Sequence, residues 1–131
     1  MTDDAFDLEL AATGILADNH DVRVLLKLLV SQLAGPLGER LEVERQGGFL
    51  HKSDDIKSVR ASIGQDDFAV EVKGPSVLCR VGHSSGGIRI RSEEVEMDEW
   101  LPRLLASLQV EAAHNQAARL ALENIVIGGP Q

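Results

Sequence analysis

The stretch Ile56-Lys57-Ser58-Val59-Arg60-Ala61-Ser62-Ile63-Gly64-Gln65-Asp66-Asp67-Phe68-Ala69-Val70-Glu71-Val72-Lys73 decides the fold. Apolar and polar residues alternate on both sides of a four-residue polar break. Val59, Ala61 and Ile63 fall on one face, with Ser58, Arg60 and Ser62 on the other; Phe68, Val70 and Val72 then repeat the pattern against Glu71 and Lys73. A period of two places alternate side chains on opposite faces of a strand, and a short Gly- and Asp-containing break reverses the chain. The segment therefore reads as a β-hairpin with one face to be buried.

Working outward, the alternation continues. Gly74-Pro75-Ser76 marks a turn, Val77, Cys79 and Val81 extend the apolar face, and Ser84-Ser85-Gly86-Gly87 leads into Ile88 and Ile90. Upstream, Leu41 to Gln46 reads as a strand, with a short return over Phe49 to Lys52 after Gly47-Gly48. In the last strand the apolar positions slip from even numbers (Ile88, Ile90) to odd ones (Val95, Met97), which requires a bulge, expected near Ser92 to Glu94. Residues 41–96 thus form an antiparallel β-meander of five to six strands.

The flanks change to helical period. Ala5 to Ala17 carries Phe6, Leu10 and Gly14 beside Leu8, Ala12 and Ile15, and Val22, Leu25, Leu26, Leu29 and Leu33 form a second stripe that Gly35-Pro36 is expected to end. After Asp98, a suitable N-cap, Trp100, Leu101, Leu104, Leu105 and Leu108 make a docking stripe, and the pattern continues to about Val126. One α+β domain over residues 1–131 follows: helices over 1–35, the meander, and one long helix over 98–127 packed on the apolar sheet face. At ~1.5 Å per residue the stretch from Glu99 to Val126 spans ~42 Å, more than the ~36 Å diameter of a compact chain of this length. Its second half, with Ala113, Ala117, Leu120 and Ala121, is therefore expected to pack against another helix, either the N-terminal pair or the same helix in a second copy.

Composition narrows the function classes. Thirteen Lys and Arg against 21 Asp and Glu give a net charge of −8, which opposes binding to nucleic-acid backbones and anionic membranes. Aromatic residues are 3% of the chain, which leaves few platforms for stacking on bases. No apolar run approaches the ~18 residues of a membrane span. The single Cys79 cannot form an internal disulfide, and the acidic start Met1-Thr2-Asp3-Asp4 lacks the positive charge of a secretory signal, so the expected location is cytoplasmic.

Chemistry-bearing motifs are sparse. His20, His51, His83 and His114 have no His or Cys at local metal-ligand spacing, and neither a metal nor another cofactor is expected. Cys79 shares the face of Val77 and Val81 and reads as a small buried hydrophobe. Ser84-Ser85-Gly86-Gly87 joins two strands, where a nucleophile elbow needs a strand-to-helix turn. The candidate binding residues that remain are His51 and Lys52 beside Gly47-Gly48, His83 at a strand end in the alternation of Val77, Cys79 and Val81, and Arg80, Arg89 and Arg91, which the alternation puts on the polar sheet face. The expected function is a non-enzymatic protein–protein interaction module, homodimeric, of the adaptor, assembly-factor or chaperone-like kind. The alternative is a small-ligand binder or enzyme using His51, His83 and the Arg80, Arg89 and Arg91 face.

Overall fold

The computed structural model describes residues 8–18, 21–47 and 55–127. Helix α1 (Leu8–Asp18) and helix α2 (Val22–Leu37) precede a short 3-10 turn at Gly38–Arg40. Five strands follow: β1 (Leu41–Arg45), β2 (Ile56–Ile63), β3 (Asp66–Lys73), β4 (Ser76–Ser85) and β5 (Ile88–Val95). Helices α3 (Met97–Ala112) and α4 (Gln116–Ile127) complete the described chain.

The strands form one antiparallel sheet in the order β1-β2-β3-β4-β5, so each pairs with its neighbour in sequence. The α+β class and the meander are as the alternation implies. In the central hairpin Val59 opposes Val70 and Ala61 opposes Phe68, so the apolar faces of both strands coincide. β1 pairs directly with β2; the short return strand expected over Phe49 to Lys52 lies outside the described residues, as does the start of the first helix.

The helices cover one sheet face. Leu25, Leu26, Leu29, Leu33 and Leu37 of α2 and the Trp100, Leu101, Leu104, Leu105 and Leu108 stripe of α3 are buried against Val59, Ala61, Ile63, Phe68, Val70, Cys79 and Val81. Trp100 ties the two layers together: its ring meets Phe68 edge-on at 6.1 Å, and its Nε1 donates to the Arg80 carbonyl at 3.1 Å. In α1 it is Ala12 that is buried, whereas Leu10, placed on the apolar stripe by the sequence reading, is 68% exposed.

Three local expectations require correction. First, Gly35-Pro36 does not end α2, which runs on to Leu37 and closes at Gly38 with φ +56°. Pro36 has no N–H to give the Gln32 carbonyl four residues back. Asn124 Nδ2 of α4 donates to that carbonyl at 3.4 Å instead, so the tertiary fold fills the gap that the proline opens. Second, the helix after the meander starts at Met97 with Glu96 at the N-cap, leaving Asp98 and Glu99 in the first turn, where negative charge suits the helix dipole.

Third, the single long C-terminal helix is two. The chain turns at Ala113, His114 and Asn115, where the Ala113 and His114 amides bond three residues back to Val110 and Glu111. Asn115 Oδ1 then accepts from the amides of Ala117 and Ala118 at 2.9 and 3.2 Å, an N-cap that starts α4. The break lets α4 pack on α2 and α3 and bury Ala118, Ala121, Leu122 and Ile125 within its own chain. The length argument for an overhanging helix disappears with it.

Candidate functional site

The strand exchange at the end of β4 organises the polar residues. His83 pairs with Arg91, and the next step pairs Ser84 with Arg89, so Ile90 is an extra residue in β5. The bulge predicted from the slipped alternation exists, but it sits at Ile90 and not at Ser92 to Glu94. An added residue moves every side chain beyond it to the other face. Arg89 consequently joins Arg80 on the uncovered face, while Arg91 turns to the helix side. The three arginines that plain alternation puts on one face are divided by this one residue.

On the helix side, the ends of β3, β4 and β5 and the middle of α3 enclose a cleft of about 770 Å³. Its centre is Asp66. One carboxylate oxygen lies 2.8 Å from His83 Nδ1 and the other accepts from Ser107 Oγ at 3.0 Å. Asp66 and His83 are directly opposed in the β3–β4 ladder, so the strand register makes this pair, and α3 brings Ser107 from 41 residues away. A carboxylate can only accept, which fixes the proton on Nδ1 and leaves Nε2 of a neutral imidazole as an acceptor. Beside them, Glu93 accepts from Arg103 at 3.0 Å and lies 3.5 Å from Arg91, and Arg103 also reaches Glu99 at 3.2 Å. The cations of the cleft are thus matched by carboxylates.

Chemically, this cleft can receive a hydrogen-bond donor at His83 Nε2. It lacks the order of a hydrolytic triad, because Ser107 donates to Asp66 and not to the imidazole. Ser107 and Asp66 are the cleft residues that sequence reading missed: Asp66 looks like turn chemistry until the register pairs it with His83.

On the uncovered face, Arg80 and Arg89 border a shallow depression of about 490 Å³ with Arg60, floored by Ala69 and Gly82. Arg89 reaches Asp67 at 3.0 Å and Arg80 reaches Glu94 at 3.4 Å. His51 and Lys52 lie outside the described residues. Of the residues expected to contact a partner helix, Ala113 and Leu120 are exposed, Ala117 is half-buried and Ala121 is fully buried in its own core.

Cys79 is buried beneath α3, and burial, with the Glu96 carboxylate as a smaller contribution, pushes its thiol up from 9.0 to about 11. A thiol held that high keeps its proton at neutral pH. Among the described residues no group of three or more His, Cys, Asp or Glu is placed to hold a metal ion, and no helix is long and apolar enough to cross a membrane. Comparisons with family models, with curated proteins and with solved structures find no match to this chain.

Proposed function

We propose that this protein is a non-enzymatic protein–protein interaction module, of the adaptor, assembly-factor or chaperone-like kind, that works as a homodimer in the cytoplasm. The observation that supports this reading is the one-sided cover of the sheet. Every described helix lies on one face, so among the described residues no helix covers the other face and no strand pairs with the outer edge of β5, where Ile88 and Ile90 are 71% and 59% exposed. Exposed apolar residues on an unpaired edge strand are a ready template for another chain. The matched charges of the cleft and the protonated thiol add no catalytic set. Size-exclusion chromatography with light scattering tests the dimer: a mass near twice the 14.2 kDa of the chain is expected, and 14.2 kDa at every concentration would refute it.

A second reading has one specific observation behind it, the Asp66–His83 pair opening into the cleft. It makes the protein a binder of a small hydrogen-bond donor. Among the described residues, His83 and Arg91 line this cleft, whereas Arg80 and Arg89 lie on the opposite sheet face. Titrating small alcohols and amides against the His83 imidazole resonances separates the readings, since an unresponsive imidazole removes the binder.

A further inference from the structure

We propose that β5 pairs with β5 of a second copy, antiparallel about a two-fold axis through Ser92, to make one continuous sheet. This deepens the homodimer reading and rests on it. β5 ends the sheet, so its outer backbone edge has no strand partner among the described residues, and all of it except Val95 is exposed. Open edges of soluble proteins are often guarded by charges or bulges, and β5 has both. What distinguishes this strand is the order of its residues.

Ile88-Arg89-Ile90-Arg91-Ser92-Glu93-Glu94-Val95 carries its arginines before Ser92 and its glutamates after it. An antiparallel two-fold lays each half on the other. With Ser92 opposite Ser92 of the second copy, Arg91 faces Glu93. Without a bulge, the next two steps would set Ile90 against Glu94 and Arg89 against Val95, which matches nothing. With Ile90 as the extra residue, Arg89 faces Glu94 and Ile88 faces Val95. Ile90 is the residue that is extra in the ladder with β4. The faces agree as well: Arg89, Ser92 and Glu94 are on the uncovered side, and Ile88, Arg91, Glu93 and Val95 are on the helix side.

The pairing thus sets each arginine of this edge opposite a glutamate and joins the apolar ends. Opposite charges facing each other across strands stabilise a sheet and like charges destabilise it, so this register is favoured over its neighbours. The Arg89, Arg91, Glu93 and Glu94 side chains keep 44% to 70% of their surface free despite their internal partners. A net charge of −8 on each copy opposes association, and the paired arginines offset that repulsion where the copies meet.

The test uses the full chain carrying Cys79→Ala, so that an introduced thiol is the only one. Directly opposed residues of antiparallel strands have Cα atoms ~4.5–5.5 Å apart, inside disulfide range. Ser92→Cys is expected to give a covalent dimer on mild oxidation. Glu94→Cys, whose equivalent in the second copy lies well beyond the ~7 Å limit, is expected to stay monomeric on the same gel. Arg91→Glu, at an exposed position, should weaken self-association by ~10-fold or more, and adding Glu93→Arg should restore it. A dimer by light scattering that shows neither the Ser92 preference nor the charge rescue overturns this interface and leaves the dimer standing. A wild-type monomer at all concentrations overturns both.

Discussion

Two residues illustrate how backbone and burial set separate costs. Gly64 and Gly74 both adopt φ +60°, where a side chain costs ~1–2 kcal/mol. A Cβ at Gly74 would meet open space, whereas one at Gly64 would collide with the Glu111 carboxylate. That carboxylate is the mobile end of a long side chain, so it can swing aside. Gly64→Ala and Gly74→Ala are therefore expected to destabilise by similar amounts in urea unfolding, within ~0.5 kcal/mol of each other; a much larger loss at Gly64 would mean that Glu111 is pinned. Cys79 gives a pH signature. Its folded pKa of about 11 exceeds 9.0, so between those values the unfolded thiol ionises while the folded one keeps its proton. The folded state then binds more protons, and stability falls as pH rises through that window. The wild type should lose more stability from pH 8 to 10.5 than Cys79→Ala does; equal losses would show that the buried thiol is not the cause.

At the scale of elements, Asn115 stands where residues 97–127 make two helices and not one. Its side chain caps α4 through two amides, and removing such a cap costs ~0.5–2 kcal/mol. Asn115→Ala should lower stability by about 1 kcal/mol, with Asn115→Gly closer to wild type; no change in the urea midpoint for Asn115→Ala would mean that packing of α4 alone makes the break. The same residue explains what was legible beforehand. The helical period runs without interruption through residues 113–115, because one turn of loop hardly disturbs the phase, and an Asn in mid-pattern looks like a polar position. Strands were more readable than helix ends, since alternation in β2 and β3 reports burial residue by residue. The slip in β5 announced a bulge, yet its position depends on which residue the β4 ladder leaves over. Since the faces of Arg89 and Arg91 follow from that choice, the candidate site was legible in its members and not in its grouping. Asp66 and Ser107 were invisible for a related reason: 41 residues separate them, and only the packed helix brings them together.

Across the whole molecule, the sheet and helices share one core, and this has a thermodynamic consequence. Buried residues of α2, α3 and α4 belong to the same cluster as those of β2, β3 and β4, and Trp100 stands where the layers meet, hydrogen-bonded to β4 and edge-on to Phe68 of β3. Neither layer can bury its apolar face without the other: the sheet alone would expose Phe68 and Val70 to water, and the helices alone would expose the leucine stripes. Unfolding should therefore be one cooperative step, as expected of small single domains. Trp100, the only Trp in the chain, reports the interface by fluorescence, while far-UV circular dichroism at 222 nm reports mainly the helices. The two urea transitions should coincide in midpoint and slope when measured on the protein at a concentration low enough to keep it monomeric. If circular dichroism retained a second transition after the Trp100 signal had been lost, the helical layer would be holding together without the sheet, and the one-domain description of residues 1–131 would give way to two units.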